Sequence, residues 1–74
     1  MSATITFERR EAAFPCYRVM RDGVLVAYVE RPTAKYGWCV APVVDGIETP
    51  DHEIWWCGSF AAAKRGARAR WGAP

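Results

Sequence analysis

The sequence has few of the residues from which catalytic and metal sites are built. It contains a single histidine, His52, within the segment Asp51-His52-Glu53, and it has no glycine-rich loop that would cradle a phosphate. A metal site needs three or four converging ligands, and neither this cluster nor the nearby Cys57 has the spacing of an established site. We therefore predict a solvated loop here, and we expect no metal and no cofactor.

Cysteines are also few, and their spacing does not pair them. Cys16, Cys39 and Cys57 lie far apart, and each falls within a strand pattern, where a cysteine behaves as a small core residue. A catalytic cysteine needs a base and an orienting third group around a cleft. The carboxylates lie mostly in turns or loops, not in the pairs that acid–base chemistry uses. We therefore expect no catalytic residues and a protein that acts by binding.

Long apolar runs are missing as well. No stretch approaches the roughly 20 residues of a membrane span, and the N-terminal segment is too polar and charged for a signal peptide. An odd number of cysteines without paired spacing suits a reducing compartment. The expected location is the cytoplasm.

Aromatic side chains, by contrast, are plentiful. Four Trp, three Tyr and three Phe occur in 74 residues. A domain of this size buries only about 60% of the surface that its unfolded chain exposes, but each aromatic side chain contributes roughly 150–250 Å² of buried area. The composition predicts a single small domain over residues 1–74 that needs no disulfide to form a core.

Two alternating runs, residues 16–21 and 24–31, flank Asp22-Gly23 and predict a β-hairpin, because this dipeptide tolerates positive φ at both positions. Pro32 is expected to end the second strand. The predicted cross-strand pairs are Arg21 with Val24, Met20 with Leu25, Val19 with Val26, Arg18 with Ala27, Tyr17 with Tyr28 and Cys16 with Val29.

Other strand patterns cover residues 3–9, with Ile5 and Phe7 inward, residues 36–44, interrupted by Pro42, and residues 54–57. Asp45-Gly46 is a second turn signal. The last element is a helix over 60–71, because Ser59 is a good N-cap, the segment is rich in alanine, and Gly72 follows it. Phe60, Ala63, Ala67 and Trp71 share one stripe that should pack on the sheet. We expect an α+β domain, a small antiparallel sheet of three to four strands packed by one C-terminal helix.

Both faces of the predicted hairpin are half apolar, and one helix covers only one face of a sheet. Trp55 and Trp56 are adjacent in a strand, so they point to opposite faces. Either the loops at 8–15 and 45–53 cover the second face, or that face binds a partner through Trp55 or Trp56, together with Tyr36. Tryptophan, tyrosine and arginine dominate protein-binding hot spots. The sequence therefore favours a protein-binding surface.

Charge is separated along the chain. Residues 45–53 are acidic, whereas the segment after Gly58 is basic. On the predicted helix, Lys64, Arg65 and Arg68 follow one flank and Arg70 lies on the other. This flank predicts an alternative function, nucleic-acid binding through contacts to phosphates. A solvated helix face with basic residues near its C-terminus is the plainer interpretation.

Two resemblances bear on function. The segment Ile54-Trp55-Trp56-Cys57-Gly58-Ser59-Phe60 entering a helix resembles the end of the arm-binding domains of phage integrases, which implies a sheet and helix that contact DNA. In size, composition and strand order, the whole chain resembles small accessory proteins of phages, in particular anti-CRISPR inhibitors. That resemblance implies a non-enzymatic inhibitor or adaptor that binds a host protein complex. A homodimer that pairs through an exposed sheet edge or through the second face of the sheet is a further hypothesis.

Overall fold

The structure is a computed structural model that describes residues 3–48 and 53–72. The helix and strands are β1 (Ile5–Arg9), β2 (Cys16–Arg21), β3 (Val24–Thr33), β4 (Gly37–Val44), β5 (Ile47–Glu48), β6 (Trp55–Cys57) and α1 (Phe60–Trp71). All strand pairs are antiparallel, and β1 to β4 lie side by side in chain order. β6 pairs with β4, and the two-residue β5 pairs with the end of β4.

This architecture confirms the predicted α+β domain with one C-terminal helix. The main sheet, however, has five strands, β1-β2-β3-β4-β6, where three to four were expected. The difference arises at the edges, because the first strand and the short aromatic strand before the helix both join the same sheet. No helix within the described residues is long and apolar enough to span a membrane.

Both Asp-Gly turns form as predicted. Asp22 and Gly23 have φ values of 51° and 82°, and Asp45 and Gly46 have values of 54° and 77°. Two consecutive left-handed residues match the right-handed twist of the strands that they connect. The first turn therefore joins β2 to β3, and the second joins β4 to β5.

The predicted pairing of β2 with β3 is wrong beyond the first two pairs. Arg21 lies opposite Val24 and Met20 opposite Leu25, but an irregularity between Val19 and Met20 then shifts the register by one residue. A one-residue shift exchanges the two faces of a strand. The four remaining predicted pairs are replaced by Val19 with Ala27, Arg18 with Tyr28, Tyr17 with Val29 and Cys16 with Glu30.

The irregularity has a packing reason. It places Ala27 and Val29 on the face that α1 covers, where both are fully buried. In the predicted register, Val26 and Tyr28 would have occupied that face. A small residue beneath the helix allows close packing, whereas a tyrosine at the same place would hold the helix away from the sheet.

Pro32 does not end a strand and Pro42 does not interrupt one, although the sequence predicted both. β3 continues past Pro32 to Thr33, with an irregular register between Glu30 and Thr33. β4 runs without a break through Pro42, which lies opposite Ala27.

The core lies between the sheet and α1. Val19, Ala27, Val29 and Val40 meet the two buried helix residues, Ala63 and Ala67. The helix begins and ends as predicted, and the Ser59 hydroxyl accepts a hydrogen bond of 3.1 Å from the Ala62 amide. Small residues at the centre bring the helix close to the sheet, so the larger aromatic side chains pack around the rim.

Candidate binding surfaces

The six residues predicted to bind a partner do not form one surface. Lys64, Arg65 and Arg68 lie on α1. Trp56 and Tyr36 lie together, with ring centroids 5.8 Å apart. Alternation along β6 directs Trp56 away from the helix and Trp55 towards it. The molecule therefore presents two separate candidate surfaces, one on each side of the sheet.

Trp55 is part of the packing between sheet and helix. Its ring stacks on that of Trp71, with centroids 5.9 Å apart. A Cβ atom at Gly66 would lie 3.4 Å from the Trp55 indole nitrogen, so the missing side chain allows the indole to approach the helix backbone. Trp56 is 52% exposed. Of the two adjacent tryptophans, Trp56 is the one that a partner can reach.

The cations of α1 lie over aromatic rings. Lys64 lies 4.6 Å from the ring centre of Phe60, and Arg68 lies 5.0 Å from that of Phe7. On the other flank, Arg70 lies over Trp55 and Trp71 at 5.3 and 4.8 Å. Each contact fixes a positive charge at the protein surface. Arg65 is exposed and points away from the sheet.

Three arginines of the sheet lie on the same side as the helix. Arg9 continues the alternation of Ile5 and Phe7 in β1. The Arg21 side chain donates a hydrogen bond of 2.8 Å to the backbone oxygen of Trp71. Arg31 lies 5.8 Å from the ring centre of Trp38, whose ring stacks on that of Phe60. The sequence analysis missed these arginines, because strand parity alone does not show which face of each strand the helix covers.

Together these residues form a surface that we call the basic face. Within β1 to β4, β6 and α1, no described residue on this side is acidic, whereas Glu8 and Glu30 have the opposite strand parity. The basic face holds seven of the ten lysines and arginines, namely Arg9, Arg21, Arg31, Lys64, Arg65, Arg68 and Arg70. A surface of one sign attracts a polyanion.

The sheet face opposite α1, which we call the open face, has a different character. Trp56 and Tyr36 are both more than half exposed there, and Lys35 lies 5.3 Å from the Tyr36 ring centre. The segment between β1 and β2, which lies within one of the two loops predicted as a cover, contacts this face through Arg10. Arg10 lies 4.8 Å from the ring centre of Tyr28. The second predicted cover includes residues 49–52, which lie outside the described residues.

A pocket of about 410 Å³ opens on this face beside Trp56. Its lining residues are Glu30, Pro32, Cys39, Ile54 and Trp56. The row of cross-strand neighbours explains its position, because Cys39 lies between Glu30 and Trp56 on adjacent strands. A small side chain between two larger ones leaves a gap in the surface.

All three cysteines are free of disulfides, and two of them have a raised pKa. Burial, followed by the negative charge of Glu30, raises the pKa of Cys16, whose Sγ donates to a Glu30 carboxylate oxygen at 3.6 Å. Burial also raises the pKa of Cys57. A raised pKa disfavours the thiolate that nucleophilic chemistry needs. Among the described residues, no three His, Cys, Asp or Glu side chains converge on a metal position, and His52 and Asp51 lie outside those residues.

Comparisons with protein-family models, with curated proteins and with solved structures found no match. The fold and the two faces define the chain as a small α+β domain with a basic, helix-bearing side and an open side that carries exposed aromatic residues and a pocket.

Proposed function

We propose that this chain is a non-enzymatic binding protein whose basic face contacts the phosphate backbone of a nucleic-acid duplex. The observation that carries the proposal is the segregation of charge, since the helix side of the fold holds seven cations and no acid from β1 to β4, β6 or α1. Cations arranged on one face neutralise phosphates and release counterions, which is the main source of sequence-independent affinity for nucleic acids.

The aromatic residues of the basic face favour phosphate contacts over base stacking. Cations lie over the rings of Phe7, Trp38, Phe60, Trp55 and Trp71. Single-strand binding proteins leave such rings open to bases. The chain also contains no asparagine and no glutamine, the side chains that pair with adenine edges. Both features support recognition of the backbone and not of a base sequence.

The test is fluorescence anisotropy of a labelled DNA duplex at low salt. Reversing two charges with Arg65→Glu and Arg68→Glu should weaken binding at least about tenfold, because two phosphate contacts become repulsive. The matched control changes the net charge equally outside the basic face, through Arg10→Glu and Lys35→Glu. Equal losses in both double variants would show that net charge alone is responsible, and no binding by the unaltered chain would reject the proposal.

A second candidate function rests on the open face. The exposed pair of Trp56 and Tyr36 favours protein binding, consistent with an inhibitor or adaptor that contacts a host protein complex, as the anti-CRISPR resemblance implies. Exposed aromatic residues beside a pocket are typical centres of protein interfaces. Nothing in the basic face is required for this function, so the two candidates can be tested separately.

Capture of partners from a host lysate tests this second candidate. We expect the combined changes Trp56→Ala and Tyr36→Ala to abolish capture of any specific partner. Val24→Ala is the control, because Val24 is at least as exposed as Trp56 and Tyr36 but lies at the β2–β3 turn. Mass measurement by light scattering on the same samples distinguishes a foreign partner from a second copy of this chain. A partner retained by the aromatic double variant contradicts the assignment.

A further inference from the structure

β1 is one outer edge of the main sheet, and within the described residues it pairs with β2 alone. The opposite edge is β6, which has three residues where β1 has five. Natural sheets often protect an edge with a proline, a bulge or a very short strand. β1 contains no proline, its register with β2 is unbroken, and its charged residues, Glu8 and Arg9, lie at one end. Its backbone is therefore accessible to another strand.

The hydrogen bonds that flank β1 show which backbone groups point to this edge. The Asp22 amide donates to the Thr4 oxygen, and the Arg10 amide donates to the Cys16 oxygen, both at 2.9 Å. Bonding direction alternates along an antiparallel strand, so the even-numbered residues of β1 also bond to β2. The outward amides and carbonyls belong to the odd-numbered residues, Ile5, Phe7 and Arg9.

This parity fixes how a second copy would attach. Two identical strands related by a two-fold axis pair in antiparallel directions, and outward residues must lie opposite outward residues. Residues directly opposite each other point to the same side of the sheet. The odd-numbered residues of β1 face the helix in both copies, so both helices and both basic faces lie on one side. The joined sheet has ten strands, five from each copy.

Charge and packing select one register. When Phe7 lies opposite Phe7 of the second copy, Ile5 lies opposite Arg9. Thr6 then lies opposite Glu8, and no like charges meet. One alternative step would place Glu8 opposite Glu8, which destabilises a sheet, and the other would place Arg9 beyond the β1 strand of the second copy. Phe7 is only partly buried by its own chain, so the second ring covers apolar surface at the two-fold axis.

We infer that β1 pairs with β1 of a second copy, with Phe7 at the two-fold axis, and that the dimer presents two basic faces to one duplex. The pairing itself is independent of nucleic acid, and only its use on a duplex rests on the proposed function. Arg68 lies over Phe7 in each copy, so cations of both basic faces meet near the axis. A bound polyanion would reduce their repulsion and favour the dimer.

The test is sedimentation equilibrium without nucleic acid, at about 0.15 M salt, where charges are screened beyond roughly 8 Å. The average mass should rise with protein concentration from that of one chain towards that of two. Thr6 is exposed and has Glu8 of the second copy opposite it. Thr6→Lys should tighten the dimer and Thr6→Glu should weaken it, with dissociation constants at least about tenfold apart, because each dimer contains two such pairs. Since the chain carries a net charge of +2, net charge alone predicts the reverse order.

Two further pairs of variants serve as controls. Thr33→Lys and Thr33→Glu make the same charge changes at an exposed residue outside β1, and they should leave the dissociation constant unchanged. Arg9→Pro and Arg9→Ala both remove the guanidinium, but only proline lacks the outward N–H. An edge strand tolerates proline where this N–H is not used within the sheet. The proline variant should dimerise at least about tenfold more weakly than the alanine variant, because two hydrogen bonds across the interface are lost.

Several results would overturn the inference. These are the mass of one chain at every concentration, equal or reversed effects of the two Thr6 variants, the same effects at Thr33, and equal dimerisation of the two Arg9 variants. If circular dichroism shows that Arg9→Pro does not fold, the Thr6 variants decide the question. Because these samples contain no nucleic acid, a failure to dimerise is distinguishable from a failure of duplex binding.

Discussion

At the scale of single residues, Gly37 meets two constraints at once. Its φ is +74°, and a Cβ atom placed on it would lie 3.1 Å from the backbone oxygen of Cys57 on the neighbouring strand. A side chain would therefore be strained by the backbone conformation and crowded by an atom that cannot rotate away. Neither constraint was visible in the sequence, where Gly37 lies within the strand predicted over residues 36–44.

We predict that Gly37→Ala lowers the free energy of unfolding by about 1–2 kcal/mol. Gly58→Ala serves as the control, because Gly58 has no atom within 4 Å of the added carbon and no positive φ. Its effect should stay within about 0.5 kcal/mol. Urea unfolding followed by circular dichroism measures both changes. Equal stabilities of the two variants would show that β4 does not require a glycine at its first residue.

The buried thiol of Cys57 should make the free energy of unfolding depend on pH in the alkaline range. Burial raises the pKa of this thiol above its ordinary value of 9.0 in the folded chain, so the unfolded chain ionises first. The contribution to stability is complete below pH 9 and is lost as the pH rises through the folded pKa. Between about pH 8 and 10.5, the free energy of unfolding should fall more steeply for the unaltered protein than for Cys57→Ala. Parallel curves would show that the thiol does not contribute.

At the scale of elements, the helix is the part that the sequence predicted best. Ser59, the alanine-rich segment and Gly72 are local signals, and α1 spans the predicted residues. Gly72 ends the helix with a φ of −83°, and its amide donates to the Arg68 oxygen at 2.8 Å. Local signals succeed here because capping and propensity depend on neighbours in the chain.

Ser59→Ala should destabilise the protein by about 1 kcal/mol, since the Ala62 amide loses its acceptor. Ser59→Asp retains an acceptor and adds a negative charge at the helix N-terminus, where the first turn of α1 holds no acid. Its stability should equal or exceed that of the unaltered chain. The measurement is equilibrium unfolding of the three proteins, and an alanine variant as stable as the serine protein would show that the cap is not used.

The hairpin shows where sequence patterns fail. The turn at Asp22 and Gly23 was predicted correctly, but the register beyond it was not. Both faces of β3 carry apolar residues, so alternation alone could not decide which of Val26 or Ala27 faces the helix. The packing of α1 decides it, because Ala27 is fully buried in one cluster with Ala63 and Ala67, whereas Val26 is only partly buried against that cluster. That constraint is tertiary and appears once helix and sheet are packed.

At the scale of the whole molecule, charge is separated by face and not only along the chain. The sequence showed an acidic segment followed by a basic one. From the basic segment we predicted that Lys64, Arg65 and Arg68 share one flank of the helix. It did not show that Arg9, Arg21 and Arg31 join them, because strand parity becomes a spatial relation only when the register is known. Likewise, the separation of Trp55 from Trp56 was predicted, but which of them faces the helix was not.

The central claim is that the basic face contacts phosphates, and the salt dependence of duplex binding tests it most directly. The logarithm of the binding constant for a short DNA duplex should fall linearly with the logarithm of salt concentration between about 50 and 200 mM. Arg65→Ala with Arg68→Ala should reduce the magnitude of this slope by about 1 to 2, while Arg10→Ala with Lys35→Ala leaves it unchanged. Binding that is insensitive to salt, or equal slopes for both double variants, would contradict the claim.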